Sequence, residues 1–181
     1  MLHRGRDGTL RQFVLFIHLF AAVFWVGEML VVGFVLGPAS RKMHPQDRAA
    51  LFRAVGRGSL PLAWGAIVVL VVTGTLNLVL MGMPLGDLLQ GAFYRTAFGF
   101  WLGVKLLAVL AMLCVSAYHD FVVGRRSSAL QRKIAEMGEG TPAELRAAAE
   151  RNRQTAMRLG IVNVVLAIVV LAAAAGLVAA G

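Results

Sequence analysis

The sequence contains few charged residues and almost no cysteine. Only 15% of its 181 residues are charged, and the 18 Lys and Arg residues outnumber the 9 Asp and Glu residues. Because Cys114 is the one cysteine, the chain cannot form an intramolecular disulfide. So small a charged fraction argues against a protein surrounded by water on all sides. It predicts that much of the chain faces lipid.

Long apolar runs take the place of the missing charge. Hydrophobic residues make up 59% of the chain, and four runs reach the length of about 20 residues that a helix needs to cross a bilayer. They cover about residues 12–36, 60–81, 97–118 and 159–180. No repeat or low-complexity linker divides the chain. The sequence therefore predicts an all-α fold, an integral membrane four-helix bundle that forms one domain over residues 1–181 and contacts membrane lipid.

Two of the connecting segments also have helical patterns. Pro45 and Asp47 predict the start of a short surface helix, and Gly58, Ser59 and Pro61 predict a break before the second span. Thr141, Pro142 and Glu144 form a capping-box arrangement, which predicts that residues 143–158 run as a helix into the fourth span with their Glu and Arg residues in water.

The basic residues around the spans predict the orientation in the membrane. Four lie on the side of the termini and of residues 82–96, namely Arg4, Arg6, Arg11 and Arg95. Thirteen lie on the opposite side, namely Arg41, Lys42, Arg48, Arg53, Arg57, Arg125, Arg126, Arg132, Lys133, Arg146, Arg151, Arg153 and Arg158. The positive-inside rule therefore predicts that both termini lie outside the cell. Anionic lipid headgroups explain the net charge of +9, so no nucleic-acid partner is expected.

Two basic side chains lie inside the apolar runs, where no solvated surface explains them. His18 is seven residues past Arg11, and Lys105 is ten residues past Arg95 on a helix that enters from the same side. At about 1.5 Å per residue these positions are about 10 and 15 Å deep, which predicts that the two side chains share a layer. Asn77 joins this layer near the end of the second span, and Thr73 lies one turn deeper.

Helical phase groups aromatic residues with both basic side chains. His18 and Trp25 share a stripe of the first helix, and Trp101 and Lys105 share a stripe of the third. An imidazole between flat apolar walls suits the iron of a b-type haem, with Lys105 available for a propionate or as a catalytic acid or base. Two alternatives stay open, a histidine that only bonds a neighbouring helix and a lysine that extends to the interface.

Two further groups of residues are candidates for polar or metal chemistry. A second polar cluster lies toward the other side of the membrane and comprises Glu28, His44, His119, Asp120 and Asn163. His119 and Asp120 at a helix end favour a solvated surface. Met81 and Met83 supply thioethers, which are soft ligands that suit Cu(I).

These residues resemble a known membrane family. HLFAAVFWVG, VLGPASRKM, LPLAWGAIVVLVVTGTLNL and KLLAVLAMLCVSAYHDF are similar to the four-helix copper-resistance D (CopD) domain over most of residues 11–124. The step from His18 to Trp25 and the segment WLGVKLLAVL also resemble the HemJ-type bacterial protoporphyrinogen oxidase, a b-haem membrane protein. That resemblance implies that His18 and Lys105 are the functional pair. Glu28 and the ending AYHDF are closer to the CopD group.

The combined prediction is a multi-pass protein of the prokaryotic plasma (inner) membrane that binds haem b near its outer face and acts in electron transfer or oxidation. His18 is the predicted iron ligand, Lys105 the predicted catalytic group, and the predicted cofactor-binding residues are His18, Trp25, Asn77, Trp101 and Lys105. One alternative is a copper-handling protein that uses Met81, Met83 and His3, and another is a structural subunit of a larger membrane complex. Quinone, another redox partner and a second copy of the chain are the partners considered besides lipid.

Overall fold

The computed structural model describes the backbone of residues 2–180 and the side chains of residues 8–44, 46–138 and 140–180. The described chain is almost entirely helical and contains no strand. We number its five long helices α1 (Leu2–Leu30), α2 (Pro45–Leu80), α3 (Ala97–Tyr118), α4 (Arg125–Met137) and α5 (Ala143–Ala180). His3, considered above as a copper ligand, lies outside the residues whose side chains are described.

Four helical segments are long and apolar enough to cross a membrane, as the sequence predicts. They run over Gly8–Lys42, Gln46–Leu80, Ala97–Met137 and Ala143–Ala180 in the described part of the chain. Many large apolar side chains on them point away from the protein, such as Phe13 at 61% and Phe20 at 65% exposure. Each would cost about 1.5–3 kcal/mol in water, so these surfaces are suited to lipid. The protein is an all-α membrane bundle.

The predicted break before the second span is wrong. The helix that begins at Pro45 continues through Gly58, Ser59 and Pro61 to Leu80. Pro61 has no N–H to donate to the carbonyl of Arg57, but one missing bond does not end a helix whose apolar surface is packed and lipid-facing.

The predicted helical run from residue 143 into the fourth span is confirmed, because α5 begins at Ala143. On the exposed part of α5, Arg153 donates hydrogen bonds to Glu150 and lowers the pKa of Glu150 to about 2.

Two π-helical segments extend the spans at one end of the bundle. Val31–Leu36 continues α1, and His119–Gly124 joins α3 to α4. In the first segment Gly37 donates its N–H to the carbonyl of Val32, and Pro38 has no N–H for the next bond. In the second, the Asn152 side chain of α5 donates to the carbonyl of Val123 at 3.2 Å. We call this end, which carries residues 37–59 and 119–158, the basic end, and the opposite one the terminal end.

The spans pack as two pairs that meet at one central layer. α1 packs mainly on α2, and α3 packs mainly on α5. The two pairs share a hydrophobic core in the middle of the bundle, with Trp25, Ala66, Ile67, Met112 and Ala167 as its buried members. Every span contributes to this core, so it holds the two pairs together. The candidate site lies between the core and the terminal end.

Candidate functional site

His18 of α1 is joined to α2 by a hydrogen bond that fixes its tautomer. Its Nδ1 lies 2.9 Å from Oγ1 of Thr73, and the same Thr73 hydroxyl donates to the carbonyl of Val69 at 2.6 Å. A hydroxyl has one hydrogen, and a carbonyl only accepts, so the Thr73 proton is committed to Val69. His18 therefore donates from Nδ1 to Thr73, and in the neutral ring its Nε2 holds a free lone pair.

The helix α2 leaves room for the imidazole at Gly74. A Cβ on Gly74 would lie 3.2 Å from Cε1 and 3.7 Å from Nδ1 of His18. Contacts of 3.2 Å are tighter than ordinary carbon packing, so an alanine there would press on the ring. Thr73 and Gly74 thus act together, one by orienting the ring and the other by admitting it. The sequence analysis did not identify Gly74. The available signal was the adjacent pair Thr73 and Gly74 in the helix that follows the one with His18.

Lys105 of α3 lies close enough to His18 for the two side chains to interact electrostatically. Lys105 is half-buried and has no hydrogen bond or ion pair with the described residues. A lysine in a membrane span normally finds a partner or reaches the interface. Lys105 therefore lies near the imidazole, and no described side chain supplies an anion to pair with it.

The remaining predicted site residues divide between this layer and other places. Asn77 is half-buried one turn from Thr73 toward the terminal end, and its side chain has no hydrogen bond to the described part of the chain. Trp101 packs against Phe100 at 5.3 Å between ring centroids and against the backbone of Gly176. Trp25 lies about two helical turns from His18 in the central core, where it is only 6% exposed. The structure thus places Trp25 in the packing core.

Met81 and Met83 lie at the end of α2, where the chain turns sharply. Gly82 has a φ of +75°, the Gly82 N–H donates to the carbonyl of Val79, and the Met83 N–H donates to that of Leu78. These two bonds form a Schellman motif, which favours glycine at this position. Met81 is 46% exposed and follows Asn77 by one turn. Thr73, Asn77 and Met81 therefore form a column that runs along α2 from His18 toward the terminal end.

The second polar cluster lies near the basic end, and three of its side chains form hydrogen bonds. Asp120 accepts from Nε1 of Trp64 at 3.2 Å and lies 2.8 Å from Nδ1 of His119. This bond joins α2 to the π-helical segment that follows α3. Asn163 of α5 donates to Ser116 of α3 at 2.8 Å. His44 is exposed before α2, away from these residues in the chain.

The described side chains include no group of three or more His, Cys, Asp or Glu residues arranged to hold a metal ion. A metal at His18 would therefore need ligands other than such a cluster, for example solvent or an organic cofactor. Two metals are compatible with the lack of such a cluster. Cu(I) prefers soft ligands, and haem iron needs one axial imidazole.

The fold and the site define a multi-pass helical membrane protein with an oriented imidazole inside the bundle. A sequence profile of the family described as Copper resistance protein D matches residues 53–177, and the chain belongs to this family. An uncharacterized protein of Aquifex aeolicus (strain VF5) is 30% identical over 160 residues, which cover 88% of this chain and 89% of the relative. No solved structure matches the chain.

The comparison confirms the resemblance to the copper-resistance D family and does not support the one to the HemJ-type oxidase. The matched residues 53–177 include Asn77, Met81, Met83, Trp101 and Lys105 but begin after His18. The family description names copper, so it favours the copper-handling alternative over the haem prediction.

Proposed function

We propose that the protein handles copper within the membrane, with His18 as the inner nitrogen ligand and Met81 and Met83 as thioether donors nearer the terminal end. The observation that carries this proposal is the pair of hydrogen bonds that join His18 to Thr73 and Thr73 to Val69. With Nδ1 as the donor to Thr73, Nε2 of the neutral ring is free to bind a metal. A ligand histidine commonly donates its other ring N–H to an oxygen acceptor, as His18 does here.

The methionines give the proposed path a preference for the reduced ion. Thioethers bind Cu(I) well and hard divalent cations poorly. Met81 is exposed at the end of the column that leads past Asn77 to His18. Met81 is two turns beyond Thr73, the residue of α2 that bonds His18. Met81 and His18 are therefore too far apart to share one ion. We therefore assign the methionines to capture and His18 to retention.

A b-type haem is the second candidate, and the unpaired charge of Lys105 favours it. A cation beside the imidazole opposes binding of a second cation, whereas it would pair well with an anionic propionate. In that case Nε2 of His18 would bind the iron, and Lys105 would hold the propionate or act as an acid or base. When bound, haem would supply one-electron chemistry, which fits a quinone or another redox partner.

Metal and pigment analysis of the purified protein separates the two candidates. The copper proposal predicts about one Cu per chain after loading with Cu(I) and no Soret band. The haem proposal predicts a Soret band in the protein as isolated and no retained copper. A protein with neither would refute both and leave a structural role in a larger membrane complex.

For its place in the cell, we propose a multi-pass protein of the prokaryotic plasma membrane with both termini outside. The bias of basic residues toward the basic end supports this orientation. We also propose that residues 1–181 act as one membrane domain, since all four spans share the central core.

A further inference from the structure

A groove separates α1 from α2 in the half of the bundle nearer the basic end. Its volume is about 560 Å³, within the range of small-molecule sites in proteins. Its walls are almost wholly apolar and include Phe24, Val31, Val32 and Leu62. Gly27 and Gly58 also line the groove, and a Cβ on either would meet nothing within 4 Å. The two helices thus leave real space between them.

Two polar side chains line this groove from opposite helices, and the described residues give no hydrogen bond to Oε2 of Glu28 or to the Ser59 hydroxyl. Glu28 of α1 and Ser59 of α2 are both among its lining residues. The carboxyl Oε2 of Glu28 is buried without a hydrogen bond, and the Ser59 hydroxyl makes none within the described residues. A polar group removed from water without a partner costs about 1–3 kcal/mol, and more when charged. No described residue therefore supplies the donor that the buried Oε2 of Glu28 lacks.

The depth of Glu28 limits what can supply that donor. Glu28 lies nine residues before Gly37, which is about 13 Å at the helical rise. A charged lipid headgroup is costly so far from the interface, and an anionic one would also meet the carboxyl of Glu28. The occupant must therefore enter from the lipid, carry an uncharged hydrogen-bonding head and have an apolar body.

We propose that the groove binds a quinol from the membrane. One quinol hydroxyl donates to the carboxyl of Glu28, the Ser59 hydroxyl pairs with a quinol oxygen, and the ring lies among the apolar walls beside Phe24. The isoprenoid tail leaves the groove into the lipid. This site goes beyond the proposed metal function and uses none of its residues, since Glu28 lies about 15 Å along α1 from His18.

The test measures binding of decylubiquinol to the protein in lipid nanodiscs by titration calorimetry. Gly58→Leu fills the groove from α2, and Glu28→Leu removes the acceptor. Each should weaken binding at least tenfold. Gly56→Leu is the matched control, because it lies on the same helix, has open space at its Cβ and does not line the groove. It should bind as the unaltered protein does, and gel filtration should show that all variants are folded.

Three results would overturn the proposal. Unaltered quinol binding by Gly58→Leu would exclude the groove. A phospholipid that co-purifies with the protein, is lost from Gly58→Leu and is not displaced by quinol would make lipid the occupant. A dimer that dissociates only in Gly58→Leu would make a second copy the occupant. Metal content should be unchanged in every variant. Loss of the quinol proposal would therefore leave the proposed metal function standing, and the reverse.

Discussion

At the scale of single residues, the orientation of His18 depends on one hydroxyl. Thr73→Val keeps the shape of the side chain and removes the acceptor for Nδ1. The imidazole then loses its fixed tautomer, and we expect metal affinity to fall about 10–100-fold, the usual effect of losing such a partner. Thr73→Ser keeps the hydroxyl and should restore most of the affinity. Metal titration of the two variants checks this, and equal affinity in Thr73→Val and the unaltered protein would count against it.

Lys105 gives a second test at this scale, because its removal should change the binding affinity in opposite directions for copper and for haem. Lys105→Met removes a positive charge near His18 and keeps much of the apolar stem. Copper binding should then tighten by about tenfold, or about 1.4 kcal/mol, since a repulsion is removed. Haem binding should weaken by a similar factor. Lys105→Arg keeps the charge and serves as the control, and no change in either affinity would remove Lys105 from the site.

At the scale of helices, Trp101 of α3 packs closely on Gly176 of α5. A Cβ on Gly176 would lie 2.6 Å from Cε2 and 2.8 Å from Cγ of the indole. These atoms belong to the rigid ring, so Gly176→Ala must displace either Trp101 or the helix. We expect a loss of about 1–3 kcal/mol in stability. Thermal unfolding in detergent measures it, with Gly160→Ala on the same helix as the control, because a Cβ there meets nothing. Equal melting of both variants would contradict the close packing.

The helices also show which parts of the structure the sequence can predict. Apolar length was sufficient for the four spans, because each helix must satisfy its own backbone in lipid. Local signals failed at Pro61, where tertiary packing and lipid keep α2 continuous. They also did not predict the π-helical segments, whose bonds depend on Pro38 and on Asn152 from another helix. Depth along each span suggested that His18 and Lys105 share a layer, but the bond to Thr73 depends on helix pairing that periodicity does not give.

At the scale of the whole molecule, the charge asymmetry predicts a testable orientation. Reporter fusions after residues 57 and 137 should be active only in the cytoplasm, and fusions at the C-terminus only outside. The physical reason is the cost of moving the thirteen basic residues of the basic end across the membrane. A cytoplasmic C-terminus would reverse the orientation and place the His18 layer near the inner surface.

The central claim is that Nε2 of His18 holds the metal centre of this bundle. The direct measurement is metal content and absorption spectrum of His18→Gln beside His119→Gln, both purified in folded form. His119 is the matched control, because its Nδ1 is also engaged, by Asp120, but at the opposite end. We predict that His18→Gln loses its bound copper or haem and that His119→Gln keeps it. An unchanged metal content and spectrum in His18→Gln would contradict the account.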